Sequence, residues 1–315
     1  MKGPEFDFYD KTSLKSYNLN ESMKYELAKL DSLDLFTRKH SESVASITCR
    51  LCEYLHLSKD FTVYCTMCAY MHDLGKQFIP PAILQKPGKL TDEEYEIMKT
   101  HTTLGYELCM KDLKLRPYAM GAYCHHEALN GTGYPRGISG KEIPYEAQII
   151  RVADEFDAIS SKRQYKSHIG ISDTLKILIE NTKPNEKIST SATLTEIVNN
   201  AKLGKNNSKV VKCLIKVVIE DTEYEISCKQ EYLDSIRGNL DRLEEMEKYR
   251  IKMEKAKKEK DKAYYLEGIK MLLAQGETLD NYHQIYEELK NTYDFRKGEI
   301  DNLWKEIKII KKLKV

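Results

Sequence analysis

Residues that can act as metal ligands recur through the first half of this 315-residue chain. The set comprises His40, His72, Asp73, His101, His125, His126, Asp154 and Asp157. Neutral imidazoles combined with carboxylates suit Fe, Mn, Zn or Co, and a carboxylate between two ions can bridge them. Two ions about 3.5–4 Å apart can stabilise both the attacking and the leaving oxygen of a phosphoryl transfer. The set therefore indicates a metal site with phosphate chemistry, built from several helices.

No single member of this set is a strong signal by itself. A lone buried histidine is more often a hydrogen-bonded core residue than a ligand, which is how we interpret His56, His168 and His283. Asp154 and Asp157 alone could be a surface pair one helical turn apart, and a His-Asp dipeptide often arises by chance. The metal interpretation depends on the whole set.

His125 and His126 raise a geometric question because they are adjacent. Neighbouring side chains on a helix point about 100° apart, so both reach one site only where the helix is distorted or ends. The string "NGTGYPRG" follows at once, and its glycines provide that conformational freedom.

The hydrophobic pattern predicts helices through most of residues 21–205. The predicted segments are 21–30, 40–56, 60–75, 91–110, 115–127, 144–160 and 171–183, with a further helix near 192–202. Thr91 followed by Glu94 predicts a capping box at the start of the 91–110 helix. Residues 1–20 are polar and irregular, which is typical of a flexible arm.

The pattern changes after the polar stretch 204–209. The alternation of apolar residues from Val211 to Ile219, with a return through Tyr224 to Cys228, predicts a small β-hairpin. Charged helices follow, including predicted helices at 280–293 and 298–312. We therefore predict a mainly α protein with three parts: an arm (1–20), a helical catalytic domain (21–205), and a hairpin and helical region of unknown role (206–315). This last region is compatible with homodimerisation, with docking of a signalling partner, or with autoregulation.

Composition limits the function classes. The formal net charge of +1 argues against a nucleic-acid polymer as partner. No apolar run is long enough to span a bilayer, and the N-terminus has no signal-peptide pattern, so we expect a cytoplasmic protein. Two Cys-x-x-Cys pairs, Cys49/Cys52 and Cys65/Cys68, lie in helical patterns without knuckle glycines, which favours core thiols over a zinc site.

Four longer strings carry a family resemblance. They are "HDLGK" (72–76), "IPPAILQKPGKLTDEEYEIMKTH" (79–101), "HHEALNGTGYPRGISGKEIP" (125–144) and "IIRVADEFDAISSKRQYK" (149–166). In order and spacing the chain resembles HD-GYP domains, a branch of the HD phosphohydrolase superfamily. The resemblance implies an HD-type helical bundle and a metal-dependent phosphodiesterase that hydrolyses cyclic di-GMP to pGpG, or onward to GMP, with a hydroxide activated by two metal ions. Two alternatives stay open: an HD-type phosphohydrolase for another (cyclic di)nucleotide, and a non-catalytic cyclic-dinucleotide receptor.

The resemblance also implies a role for each matching residue. His40, His72, Asp73 and Asp154 would hold one metal, while Asp73 would bridge to a second metal held by His101, His125 and His126. Lys76 would lie beside the hydroxide and the substrate phosphate, and Asp157 would handle a proton near the nucleophile. Arg163 and Lys166 would bind substrate phosphates, and Tyr134 of the Gly-Tyr-Pro turn would line the substrate pocket. Fe or Mn are the expected ions, with Zn, Co or Ni as alternatives.

The chain departs from the family pattern at two positions. Phe36 replaces the glutamate that binds a third metal in some members, so we predict two metals. Asn130 stands where the family commonly has Asp. Asparagine suits tight turns, so a turn role is favoured over an altered site.

Overall fold

The structure, a computed structural model, describes residues 21–31, 37–161, 169–184 and 203–315. The chain divides into two compact units, Met1–Val218 with Lys312–Val315, and Ile219–Lys311. The predicted arm (1–20), the predicted helix near 192–202, and Phe36 lie outside the described residues. The domain boundary between residues 205 and 206 stays a prediction.

The described part of the first unit consists of helices joined by turns and loops, with no strand, which confirms the predicted mainly α fold. Its helices are α1 (Glu21–Asp31), α2 (Thr37–Tyr54), α3 (Lys59–Met71), α4 (Pro81–Leu84), α5 (Asp92–Lys99), α6 (His101–Lys111), α7 (Ala119–Cys124), α8 (Tyr145–Ser160) and α9 (Ile171–Glu180). Short 3₁₀ turns cover Leu74–Phe78, Arg116–Tyr118 and Gly140–Glu142. The predicted 91–110 helix is divided at Thr100, which separates α5 from α6.

Local side-chain bonds begin two of these helices. Ser58 Oγ accepts the Phe61 backbone N–H at 3.3 Å before α3. The predicted capping box before α5 is present: Thr91 Oγ1 accepts the Glu94 N–H at 3.2 Å, and a Glu94 carboxylate oxygen accepts the Thr91 N–H at 2.7 Å. In both cases the side chains accept hydrogen bonds from backbone N–H groups that have no carbonyl partner within the helix.

The four cysteines of the Cys-x-x-Cys pairs are buried in α2 and α3, two helices that pack against each other. Burial raises the pKa of Cys49 to about 12, so this thiol stays protonated at neutral pH. Among the described residues, the side-chain groups arranged to hold a metal contain no cysteine. The burial of these four cysteines is that of small apolar core residues.

Two glycines allow close packing beside the predicted ligands. A Cβ at Gly75 would lie 1.8 Å from the His101 carbonyl oxygen, and a Cβ at Gly121 would lie 2.6 Å from Cys68 Cβ. Only glycine lets the turn after Asp73 reach the start of α6 and lets α7 reach α3. These contacts bring Asp73, His101 and His125 together.

The predicted β-hairpin is wrong. Residues Ser208–Lys255 form one helix, α10, and the described residues contain no strand. The buried positions in its first half are Val210, Val211, Leu214, Ile215, Val217, Val218, Thr222 and Ile226. Val211, Ile215, Val218, Thr222 and Ile226 recur every three or four residues, and the others lie beside this row. A run of β-branched residues imitated strand alternation, whereas the buried face follows the helical period. No glycine or proline between Gly204 and Gly238 could form the hairpin turn.

The second unit comprises the later part of α10 with α11 (Glu259–Leu272) and α12 (Tyr282–Ile310). Helix α12 is continuous, so the two predicted helices at 280–293 and 298–312 are one. One apolar cluster contains Leu240, Leu243, Met246, Ile269, Tyr282 and Tyr286, and another contains Ile226, Leu233, Ile300 and Ile307. Arg242 also donates two hydrogen bonds of 2.6 Å to Glu277. Within the described ranges, no helix is apolar over a length that could cross a membrane.

Candidate metal centre

The predicted ligands come from five separate elements of the first unit. His40 lies in α2, His72 and Asp73 follow α3, His101 opens α6, His125 and His126 follow α7, and Asp154 lies in α8. The structure brings all seven residues into one buried cluster, in which His126 has the most exposed side chain at 25%. Each element contributes only one or two of them, so the site exists only in the folded chain.

One side of the cluster is centred on His40. Its Nε2 lies 3.0 Å from Asp154 Oδ1 and 3.7 Å from Asp73 Oδ2. His72 Nε2 lies 3.3 Å from the same Asp73 oxygen and 4.0 Å from Asp154 Oδ1. These four side chains are the group predicted for the first metal.

The other side contains the remaining histidines. His101 Nε2 lies 3.2 Å from His125 Nε2, and these nitrogens lie 3.6 and 4.0 Å from Asp73 Oδ1. The ligand atoms of His101, His125 and His126 are close enough to one another to hold one ion. Asp73 therefore directs one carboxylate oxygen towards each group.

Three histidines are each oriented by the helix that precedes them. The Nδ1 atoms of His72, His101 and His125 lie 2.6, 2.7 and 2.9 Å from the backbone carbonyls of Ala69, Met98 and Ala122. A carbonyl can only accept, so each Nδ1 must carry the proton and each Nε2 has a free lone pair. This is the tautomer that a metal ligand needs, held by bonds outside the ligand shell.

His40 is oriented by a carboxylate instead. Its Nδ1 lies 2.6 Å from Asp157 Oδ2, and Ser43 Oγ donates to Asp157 Oδ1 at 2.5 Å. The sequence predicted that Asp157 handles a proton near the nucleophile; in the structure it contacts the far side of His40. Ser43 was not predicted, although its position one turn after His40 on α2 is a usable signal.

The electrostatics differ between the two groups. Burial disfavours the His40 cation, but hydrogen bonds to Asp154 and Asp157 outweigh burial and raise its pKa to about 9. Burial lowers the pKa of His101, and lowers those of His125 and His126 strongly, so these imidazoles are neutral. Burial opposes ionisation of Asp73, yet His72 and Lys76 hold its pKa well below the usual range. Without a metal, the site thus combines a protonated His40 and an ionised Asp73 with neutral imidazoles at His101, His125 and His126.

Two buried atoms of the site lack a partner. His72 Nε2 and Asp73 Oδ1 are buried and make no hydrogen bond. Buried polar atoms are nearly always satisfied, so such atoms call for an explanation. Both are ligand atoms in a set of imidazoles and carboxylates that suits a divalent transition metal. The residues present therefore fit a metal site.

The Gly-Tyr-Pro turn covers one edge of the cluster. A Cβ at Gly133 would lie 2.5 Å from the His126 carbonyl oxygen, so the turn can approach only with glycine there. The Tyr134 ring stacks on the His126 ring at 4.6 Å between centroids, before a cis Tyr134–Pro135 peptide bond. Glu127, another residue that the sequence did not single out, accepts the Arg136 N–H at 2.8 Å and closes the loop.

The remaining residues that the sequence singled out are Lys76, Asn130, Arg163 and Lys166. Lys76 Nζ lies 2.5 Å from Asp73 Oδ2. Asn130 Oδ1 accepts from the Thr132 N–H and hydroxyl at 3.2 and 2.7 Å, which is a local turn contact. Arg163 and Lys166 lie outside the described residues.

Comparison with known protein families agrees with this geometry. The family described as "HD domain" matches residues 26–186, just over half of the chain. The chain belongs to the HD domain family. The family predicted from the sequence strings is thereby confirmed.

Several curated proteins resemble this HD domain. A cyclic di-GMP phosphodiesterase of Thermotoga maritima is 38% identical over 165 residues, covering 50% of this chain and 45% of its own. A 3'3'-cGAMP-specific phosphodiesterase of Vibrio cholerae is 38% identical over 152 residues, covering 48% of this chain and 33% of its own. The chain thus spans less than half the length of these relatives. Among solved structures, a HDG"Y"P protein from Bdellovibrio bacteriovorus is 17% identical, with a TM-score of 0.45 and coverage of 67% of this chain and 68% of its own.

Proposed function

We propose that this protein is a phosphodiesterase that opens a cyclic dinucleotide, with cyclic di-GMP as substrate and pGpG, or onward GMP, as product. The observation that carries the proposal is the position of Asp73, whose two oxygens face two different groups of histidines. Such a carboxylate is suited to bridging two ions. The cyclic di-GMP phosphodiesterase of Thermotoga maritima, at 38% identity, supports this choice of substrate.

The residues present would hold two divalent ions, Fe or Mn in the first instance. His40, His72, Asp73 and Asp154 would bind one, and His101, His125, His126 and Asp73 the other. When bound, a pair of ions supplies Lewis acidity and a hydroxide at neutral pH. The protein supplies the fixed Nε2 lone pairs and a largely buried cluster that excludes bulk water.

Other side chains would act on the substrate. Lys76, held 2.5 Å from Asp73, would stabilise negative charge on the phosphate oxygens. Arg163 and Lys166 would bind the phosphates, Arg163 as a bidentate donor. Tyr134, stacked on His126, would line the nucleotide pocket. Asp157 would act through His40, because its Oδ2 lies 2.6 Å from His40 Nδ1.

The test is hydrolysis by protein purified without oxygen and supplied with Mn²⁺ or Fe²⁺. We expect conversion of cyclic di-GMP to pGpG, and no conversion by Asp73→Asn, which keeps the shape of the side chain but loses its charge. Asp173→Asn, an exposed change on α9, is the matched control and should retain full activity. Tight binding without turnover would contradict an enzyme and favour a receptor.

One observation favours a second substrate. The 3'3'-cGAMP-specific relative of Vibrio cholerae matches at the same 38% identity as the cyclic di-GMP enzyme. Cyclic di-GMP, 3'3'-cGAMP and cyclic di-AMP should therefore be compared at equal concentration. A higher kcat/KM for 3'3'-cGAMP would replace cyclic di-GMP as the proposed substrate and leave the chemistry unchanged.

The role of residues 206–315 belongs to the same proposal. Exposed apolar side chains on α12, such as Phe295 at 65% and Trp304 at 43% exposure, suit a homodimer or a signalling partner. Light scattering of the purified chain would test the dimer, and a monomer at all concentrations would exclude it.

A further inference from the structure

Arg151 on α8 connects the site to a segment far along the chain. Its Nη1 donates to the His126 carbonyl oxygen at 3.1 Å, and its Nε donates to Asn206 Oδ1 at 2.9 Å. The same His126 carbonyl accepts the Tyr134 N–H at 3.2 Å. The rigid guanidinium therefore fixes the backbone that carries both His126 and the Gly-Tyr-Pro turn.

Asn206 is itself held from several sides. It is 2% exposed, and its Nδ2 donates to Glu155 Oε2 at 2.7 Å. Its backbone N–H donates to the Asn181 carbonyl at 3.0 Å, while the Asn181 side chain donates to the other Glu155 oxygen. An amide with both ends bonded in a buried place has one orientation.

The residues before Asn206 hold the same loop at a second point. The Lys205 carbonyl accepts the Leu129 N–H at 3.0 Å, three residues after His126. A Cβ at Gly204 would lie 2.3 Å from the Thr182 carbonyl carbon, so the segment is tightly packed. Residues 204–206 thus form a clasp, which also lies beyond the 26–186 match to the HD domain family.

His126 needs such support more than its neighbours do. The rings of His72, His101 and His125 each bond a carbonyl of the helix that precedes them. In the hydrogen bonds of the described residues, the His126 ring has no such bond; His126 lies one residue further beyond α7 than His125 does. Its direction is set by the placement of its backbone and by stacking on Tyr134.

We propose that Arg151 and Asn206 are positioning residues for His126, holding its backbone so that the ring completes the second ligand group. The inference rests on the metal centre of the proposed function. Residues outside the ligand shell that orient ligands typically change metal affinity about 10–100-fold when replaced. Residues 204–206 would then contribute to metal binding, although they lie outside the residues 26–186 that match the HD domain family.

Mn²⁺ titration of chelator-treated protein, read by the electron paramagnetic resonance signal of free Mn²⁺, tests this without substrate. Asn206→Ala should weaken one class of Mn²⁺ sites about tenfold and leave the other unchanged. Asn207→Ala is the matched control, because that neighbouring amide bonds Gln148 and not Arg151, and it should bind as the wild type does. Arg151→Lys keeps the charge but loses the planar fork of donors, so it should weaken the same class of Mn²⁺ sites about tenfold. This second variant tests the proposal even if Asn206→Ala fails to fold.

Thermal unfolding of the same variants separates positioning from simple stabilisation. Wild-type Mn²⁺ affinity in both Asn206→Ala and Arg151→Lys, whatever their melting temperatures, would overturn the proposal. Absence of cyclic-dinucleotide hydrolysis by the wild type would instead overturn the proposed function. A selective loss of Mn²⁺ affinity in the two variants would still support the positioning role of Arg151 and Asn206.

Discussion

Asp157 Oδ2 lies 2.6 Å from His40 Nδ1, across 117 positions of sequence, and joins α8 to α2 behind the metal centre. The bond leaves the opposite nitrogen of His40 facing Asp154 and Asp73. A carboxylate in this place orients a histidine ligand and strengthens its basicity. This relationship assigns Asp157 a task other than the proton transfer predicted from the sequence, and the two can be separated by experiment.

Asp157→Asn should weaken metal binding about 10–100-fold, because the amide accepts from His40 less strongly than the carboxylate does. Excess Mn²⁺ should then restore most of the hydrolysis rate, as measured by product formation against metal concentration. Loss of activity that persists at saturating Mn²⁺ would favour the proton-transfer role instead.

The His40 pKa predicts a pH dependence of the metal-free protein. The folded value is about 9, above the ordinary 6.5, so the folded chain keeps a proton that the unfolded chain has lost between these values. Protonated His40 therefore contributes fully to the free energy of unfolding below about pH 6.5. This contribution disappears as the pH rises through 9, a change of roughly 3 kcal/mol. Urea unfolding in chelator should show the advantage of the wild type over His40→Gln shrinking from pH 6 to pH 9. A constant difference would refute the prediction.

Gly75→Ala should damage both stability and metal binding. The new Cβ would lie 1.8 Å from the His101 carbonyl, so the turn after Asp73 and the start of α6 must separate. We expect unfolding to become easier by about 3 kcal/mol or more, at the upper end of overpacking effects. Gly238→Ala in α10, where no atom lies within 4 Å, is the control and should stabilise by roughly 0.5–1 kcal/mol. Equal effects of the two changes on denaturant unfolding would contradict the packing argument.

Asn130→Asp tests the departure from the family pattern. Because Asn130 accepts hydrogen bonds from Thr132 and an aspartate oxygen can do the same, the turn should persist. We expect stability within about 0.5 kcal/mol and hydrolysis rates within about twofold of the wild type. Asn130→Ala, which removes the acceptor, should cost about 1 kcal/mol in thermal unfolding. A tenfold rate change in the aspartate variant would show that charge at this position acts on the site.

The secondary structure was predictable where local signals were specific. The capping box of Thr91 and Glu94 depends on four consecutive residues, so the sequence contains all of it. The predicted hairpin failed because a run of β-branched residues in α10 matched a period of two as well as a helical period. Burial on one face of a long helix decided between them, and burial is a property of the folded chain.

The sequence alone was enough to name the candidate ligands, because the stretch 40–166, in which the strings that resemble HD-GYP domains lie, contains every histidine and aspartate of the cluster. That these residues bind metal stays a prediction. Tertiary structure decided how they are used. The two directions of the Asp73 carboxylate, the pairing of Asp157 with His40, and the reach of Arg151 to Asn206 all join elements distant in sequence. These depend on helix packing at glycines such as Gly75, where backbone contact over a few ångströms sets which side chains meet. Spacing along a chain cannot specify such distances, because they arise only when separate helices share one core.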